Sequence, residues 1–554
     1  MILINERPCQ SLPGESSLFV AGEYNQDVID LMHSLDLAVW QKATKEWEVP
    51  VTSLSKLIQD LPYIDEVKLH IQNEDREVVK SSLSLSYKTQ PYPYQLEGIQ
   101  YGLEHDRWLL LDDMGLGKTL MTLYLAEELK AQRGIQHCLI ICGINALKSN
   151  WKKEVAKHTD DTCIVLGERV NSKGRVSYAT IDERAKQLKD PIEEFFVIAN
   201  VETFRSPKVI EAYRKSKNKF DLIIVDECHK IKSKTSQQGA NILKLDAPYK
   251  VAATGTLIMN NPLDAYVPLT WIGANCSNLT NFKKYYCTMG GFNGTQVIGF
   301  KHMDVLKDQL SQCSLRRTKD LLELPPKNII HELLDMNDDH RKFYDRIKDG
   351  IKDEVDKVEL NTNSLLALAT RLRQASVCPS ILSTENISST KIDRAVELAE
   401  QIVENGDKVV LFSNFKEPVS LLAERLQQYN PVIGTGDISD ADFSDNIDRF
   451  QTDPTCKVFI GTISKMGTGI TLTAASYAIF IDCAWTAAVN TQCEDRIYRI
   501  GTSKPVFIYY LWNAGTSDEH IKELVEAKAQ VSDYIVDNKI ADNLTDVLRK
   551  MLIE

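Results

Sequence analysis

Residues Leu109–Thr119 read LLLDDMGLGKT, an apolar run ending in a turn with Gly115 and Gly117, then Lys118 and Thr119. A helical pattern, LMTLYLAEELK, follows directly. Glycines let successive backbone N–H groups face one anion without side chains in the way. The helix start adds a partial positive charge beneath that anion. Lys118 suits β- and γ-phosphates, the Thr119 hydroxyl suits Mg²⁺, and Asp113, Met114 and Leu116 complete the loop. The strict phosphate-loop pattern wants glycine where this chain has Asp112. The competing reading is a Gly-rich turn closing a connection between strand and helix.

A second acidic motif, FDLIIVDECH (220–229), places Asp226 and Glu227 at the end of an apolar strand-like run. In a parallel sheet ligands gather at the carboxyl ends of strands, so this pair is expected beside the phosphate loop. Asp226 would hold Mg²⁺ through water, and Glu227 would orient or deprotonate an attacking water. An isolated Asp-Glu pair is more often a solvated loop; the phosphate loop about 110 residues upstream reverses that weighting. His229 is assigned no proton transfer.

In QCEDRIYRIG (492–501), Arg496 and Arg499 stand three apart and share a helix face. They suit a phosphate clamp, or equally a surface stripe paired with Glu494 and Asp495. Upstream, GTISKMGTGITLTAAS (461–476), which contains Gly469, supplies glycines and hydroxyls that a ligand or a nucleic-acid phosphate could approach. A generic loop competes there too.

The elements that must position these residues follow from texture. Short apolar runs (CLIIC 138–142, FFVIA 195–199, LIIV 222–225, KVVLF 408–412, KVFIG 457–461) alternate with amphipathic stretches, the pattern of buried parallel strands in α/β units. They fall into two sets, predicting two α/β lobes separated by a charged helical region. The expected division is 1–85 as a small accessory α+β domain, 86–325 as the first, ATP-binding lobe, 326–395 as a helical connector, 396–515 as the second lobe and 516–554 as closing helices.

At 554 residues the chain exceeds one packed core of ~150 residues. Its 43% hydrophobic and 26% charged residues exclude collagen-like or wholly disordered classes. A net charge of −12 means that any polyanion site must be a local basic groove. The 12 cysteines include no CxxC pair, so no zinc site is expected, and thiols in a reducing compartment are. No run of ~18 apolar residues predicts a membrane span. The expected location is the cytoplasm of a bacterial or phage-infected cell, or the nucleus of a eukaryote.

Taken in order, the segments resemble the SWI/SNF-related ATPase family of superfamily-two helicases. YPYQLEGIQYGL (92–103) resembles the adenine-recognising glutamine motif, with Gln95 at the glutamine. DDMGLGKT, VDECH, ATGT (253–256) with NNP, FSNF (412–415), the 461–476 loop and QCEDRIYRIG resemble successive family motifs, and LRRTKD (315–320) with LPPK resembles the lobe junction. The resemblance covers about 90 to 554 and implies two tandem RecA-like parallel-sheet lobes, driven by ATP and Mg²⁺ along double-stranded DNA, branched forms included. It implies that Gln95 reads adenine, and that Thr254, Thr256, His229 and Gln492 couple hydrolysis to DNA. Arg496 and Arg499 would be arginine fingers. Lys230, Lys232, Lys234, Arg316, Arg317, Lys465 and Trp485 are candidate DNA contacts, each with an ordinary solvated reading beside it.

Departures from the family pattern are Asp113 for Glu, Cys228 for Ala or Gly, Thr486-Ala487 for Asn-Pro after Trp485, and Thr502 for Gln. YNQDVIDLMHSLDLAVWQKATKEWEVP (24–50) resembles a module preceding the motor in annealing-helicase relatives, which there helps bind branched DNA. The first eighty residues hold seven Lys/Arg against fourteen Asp/Glu, which opposes a broad phosphate-binding face. The alternative has this module brace the first lobe, with Trp40 and Trp47 in its core. Two other functions stay open: a strand-separating DNA or RNA helicase, and a scaffold with an inactive motor.

Overall fold

The computed structural model describes residues 2–8, 16–22, 26–35, 38–42, 44–50, 53, 57, 67–70, 83–143, 145–170, 176–258, 261–290, 296–357, 362–467, 469–523 and 552. The chain divides into two compact units, 1–321 and 322–554.

The first unit opens with a five-stranded sheet of β1 (Ile2–Pro8), β2 (Ser16–Gly22), β3 (Val39–Gln41), β4 (Glu46–Pro50) and β5 (Val67–His70), ordered β3-β4-β2-β1-β5. A helix, Gln26–Ser34, packs Val28 and Met32 onto it, around a small core with Ile4, Leu18, Val20 and Val49. The expected tryptophan turn is the β3–β4 hairpin, in which Trp40 pairs with Trp47. Trp47 packs against that core, whereas Trp40 is 37% exposed and stands outside it, a correction to the expected two-tryptophan core. Trp40 is the middle residue of a three-residue edge strand, and its ring meets that of Trp47 at 5.4 Å on the rim of the small core.

The main sheet of this unit has seven parallel strands. In chain order they are β6 (Arg107–Leu110), β7 (His137–Cys142), β8 (Cys163–Val165), β11 (Phe196–Asn200), β12 (Phe220–Asp226), β13 (Tyr249–Ala253) and β16 (Ser314–Leu315). Two hairpins, β9 (Glu168–Val170) with β10 (Val176–Tyr178) and β14 (Cys287–Gly290) with β15 (Gln296–Phe300), lie outside it. The order across the sheet is β16-β6-β13-β12-β7-β11-β8. Its central strands are almost wholly buried and mostly apolar, with core clusters on both faces.

This order matters for the site. The strands carrying the phosphate loop (β6), ATGT (β13) and Asp-Glu (β12) are consecutive neighbours, with Leu110 level with Ala253 and Ala253 level with Asp226. All three loops leave the same edge, within two strand spacings, roughly 10 Å.

The second unit holds a six-stranded parallel sheet of β17 (Lys327–Leu334), β18 (Val409–Ser413), β19 (Val432–Gly434), β20 (Val458–Thr462), β21 (Tyr477–Phe480) and β22 (Val506–Asn513), ordered β17-β22-β21-β18-β20-β19. Residues 326–395, expected as a helical connector, do contain the helices Asp338–Lys357, Thr362–Val377 and the start of Thr390–Glu404, yet they also supply β17. That edge strand alternates half-buried and exposed positions, with Ile329 and Leu333 exposed, so it lacks the continuous apolar run that marks a central strand. Of the expected closing helices, 524–551 lie outside the described residues. No helix among the described residues is long and apolar enough to cross a membrane.

Candidate nucleotide site

β6 ends at Leu110, and the chain turns into the helix Lys118–Arg133. Gly115 (φ 87°) and Gly117 (φ 80°) adopt the left-handed backbone that glycine tolerates best. Gly117 has a second reason to lack a side chain: a Cβ there would lie 2.3 Å from Gln95 Nε2. Gln95 is 2% exposed; its Nε2 donates to the Leu116 carbonyl (3.0 Å), and its Oε1 accepts the Tyr92 N–H (3.0 Å). The Tyr94 hydroxyl donates to the same Leu116 carbonyl at 3.0 Å. The glutamine segment and the glycine loop are therefore one bonded body.

Lys118 Nζ donates to the carbonyls of Asp112 (2.8 Å) and Asp113 (3.1 Å). Burial lowers its pKa, and the charges of Glu227 and Asp226 oppose that fall. Asp226 Oδ1 accepts the Glu227 N–H (2.9 Å), and Oδ2 accepts the indole N–H of Trp151 (3.0 Å). Burial, and then the neighbouring Glu227, push Asp226 up to about 6, while Trp151 and Lys118 pull it back. Two adjoining carboxylates against one buried ammonium leave an excess of negative charge. That excess, with the hydroxyl of Thr119 next to Lys118 in the chain, is the donor chemistry of a hard divalent cation such as Mg²⁺, so the residues fit one.

Glu227 sits at φ 53°, ψ 50°, a left-handed conformation costing a non-glycine residue about 1 kcal/mol or more. The Asp226 carboxylate holds its N–H, and its carbonyl accepts from Lys230 N (2.9 Å). Gly143 leaves room, since a Cβ there would lie 3.1 Å from Glu227 Cβ. The bend brings Glu227 Oε2 to 3.2 Å from His229 Nδ1. That nitrogen lies 3.1 Å from Thr254 Oγ1, which accepts the Thr256 N–H (3.1 Å). The contact of His229 with Thr254 thus joins the ends of β12 and β13, with Glu227 Oε2 close to the same ring nitrogen. Gly255 packs this turn on the phosphate loop: a Cβ would lie 2.8 Å from Met114 Cγ and 3.5 Å from Lys118 Nζ.

Asp112, the departure from the strict loop pattern, is fully buried and takes the Arg317 guanidinium on both oxygens (Nε at 3.1 and 3.2 Å, Nη2 at 2.5 Å). Arg317 was expected to face DNA. Its side chain is 11% exposed and turned inward, because a buried carboxylate without a counter-charge would cost about 3–5 kcal/mol. Trp151 was not anticipated as a site residue, since its partner Asp226 is 75 positions away.

In the second unit, Arg496 is 5% exposed; its Nε donates to the Gln492 carbonyl (2.7 Å) and its Nη1 to the Ile470 carbonyl (3.3 Å). Arg499 Nη1 donates to that same Ile470 carbonyl at 3.2 Å. Both arginines therefore meet at one carbonyl of the loop around Gly469 (φ 62°), while Glu494 binds Lys327. The Gln492 side-chain nitrogen is buried without a hydrogen-bond partner among the described residues. Thr502, where the family has glutamine, accepts the Arg499 N–H (3.1 Å) and donates to the Ile497 carbonyl (2.7 Å), so its hydroxyl fixes the arginine turn.

Among the remaining candidate DNA contacts, Lys230 and Arg316 are exposed. Lys232 pairs with Asp264 (3.2 Å), Lys234 donates to the Tyr266 hydroxyl (3.2 Å) and Lys465 donates to Asp440 (2.8 Å). Trp485 stacks on the buried Arg373 guanidinium at 4.6 Å; that guanidinium also donates to the Cys483 carbonyl (2.6 Å). No group of three or more metal-ligating side chains is found among the described residues.

The SNF2-related domain family matches residues 94–381, and the helicase conserved C-terminal domain matches 390–501. An uncharacterized ATP-dependent helicase of Mycoplasma genitalium is 26% identical over 79% of this chain and 41% of its own length. A putative ATP-dependent helicase/translocase of Bacillus subtilis is 25% identical over 85% of this chain and 51% of its own. The chain spans about half the length of the curated relatives it matches. A solved structure of the Sulfolobus solfataricus SWI2/SNF2 ATPase core in complex with dsDNA covers 85% of this chain and 99% of its own, with 24% identity and a TM-score of 0.38. With the SNF2-related domain alone matching more than half of its residues, the chain belongs to the SNF2-related family.

Proposed function

We propose that this chain hydrolyses ATP to drive movement along double-stranded DNA without separating the strands. The observation that carries the reading is the meeting of Lys118, Asp226 and the Glu227–His229–Thr254 chain at one edge of three neighbouring strands. Adenine would lie against Gln95, and the phosphates over Asp113–Thr119 with Lys118 among them. Thr119 and Asp226 would hold Mg²⁺, which when bound offsets charge on the phosphate oxygens. Glu227 would orient and deprotonate the attacking water, its carboxylate aimed by His229. Loss of the γ-phosphate changes what Glu227 faces, and His229 relays that change to Thr254 and Thr256.

From the second unit, Arg496 and Arg499 would serve as arginine fingers, with Gly469 and Gln492 in the same cluster. Lys230, Arg316, Lys232, Lys234, Lys465 and Trp485 would meet DNA, mostly through phosphates, so sequence preference would be slight. Branched duplex is included among the substrates.

The test is ATP turnover with linear duplex, branched duplex, single-stranded DNA, RNA and no polynucleotide. Duplex should stimulate most, and stimulation should fall steeply with salt. Preference for single strands or RNA would indicate a strand-separating helicase, and no hydrolysis with any of them an inactive scaffold.

A further inference from the structure

Arg317 does more than neutralise Asp112. β16 adds to the outer edge of β6, and the backbone pairing continues past both strands: Leu111 N–H donates to the Leu315 carbonyl (2.8 Å), and Asp113 N–H to the Arg317 carbonyl (2.9 Å). Two residues further on, Lys319 N–H donates to the Asp113 carboxylate (3.2 Å). The first half of the phosphate loop is therefore laced to residues 315–319, the last stretch of the first unit, which ends at Leu321.

From that lacing the Arg317 side chain folds back over the loop. One nitrogen binds the carbonyl of Tyr94, the residue before Gln95, and the guanidinium lies 5.3 Å from the Tyr94 ring. The others grip Asp112. Space for this path is kept by Gly98 on the glutamine-motif helix, where a Cβ would lie 2.8 Å from Arg317 Nη2. One planar fork thus touches the base-reading segment and the phosphate loop together. A lysine, with a single point charge, has no geometry for both.

We propose that Arg317 is a positioning residue for nucleotide selection: it fixes the distance between the base-reading Gln95 segment and the phosphate loop, so that a triphosphate is gripped well only when its base fits. The inference rests on the proposed role of Gln95 in reading adenine. It carries a consequence for the departure at Asp112: the carboxylate in place of a loop glycine is the anchor of this fork.

The test compares ATP and GTP in the full chain with duplex DNA, for the parent and for Arg317→Lys. The lysine keeps a charge beside Asp112 but gives up the Tyr94 carbonyl. The expected result is a rise of about tenfold in KM for ATP, the size of one lost charge-assisted hydrogen bond, with kcat falling much less. The preference for ATP over GTP should shrink by a similar factor. A merely structural role would lower turnover of both nucleotides alike and leave their ratio unchanged, which would overturn the proposal. Should Arg317→Lys fail to fold, the neutral pair Asp112→Asn with Arg317→Gln removes the buried charges together, and its ATP-to-GTP ratio decides the matter the same way. A parent chain that hydrolyses neither nucleotide would instead refute the proposed function, a different outcome from a variant with unchanged selectivity.

Discussion

Glu227→Gln leaves ATP binding intact and lowers DNA-stimulated turnover by about a hundredfold or more, the share a general base commonly contributes. The amide has the same shape and retains an oxygen that can face His229 Nδ1, now 3.2 Å from the carboxylate, so the strained turn has no reason to reorganise. What it loses is the capacity to take a proton. It also removes the like charge beside Asp226, whose pKa burial and Glu227 together raise to about 6. Nucleotide affinity should therefore hold or improve while phosphate release stops. Equilibrium binding of a fluorescent ATP analogue and phosphate release, measured on one preparation, check both halves. Turnover within a few-fold of the parent would place the base elsewhere.

Arg499→Ala lowers turnover by roughly a thousandfold, as expected for loss of an arginine finger, with a much smaller effect on nucleotide binding. Arg499 is the better of the two arginines to test. Arg496 is nearly buried and its fork bridges the Gln492 and Ile470 carbonyls, so its removal would also damage the 461–476 loop. Arg499 is less buried, and its turn is held independently by the Thr502 hydroxyl. Parental DNA-stimulated turnover in Arg499→Ala, measured as phosphate release, would refute the finger assignment.

What could be read before the structure was local. Glycine spacing, Lys118-Thr119 and the Asp-Glu pair after an apolar run are signals within ten or so residues, and parallel strands announce themselves because burial on both faces makes them continuously apolar. What could not be read was pairing across the chain. Asp112 looked like a flaw in the phosphate loop because Arg317, its counter-charge, lies 205 positions away. The same distance hid the inward turn of Arg317, which as a bare arginine in LRRTKD looked like a phosphate contact. Trp151 gave no sign of holding Asp226. β17 escaped notice for a different reason: an edge strand needs only one covered face, so its alternation blends with the charged helices that follow. Trp40 shows the opposite error, a large apolar side chain assigned to a core that its short edge strand cannot provide.

Motion along a duplex is the claim on which these roles converge, and third-strand displacement reads it directly. A short oligonucleotide bound in the major groove of a linear duplex should be released by the parent chain only when ATP is supplied, while the two strands beneath stay paired. Failure to displace the third strand, together with ATP-dependent separation of a forked duplex, would contradict the account.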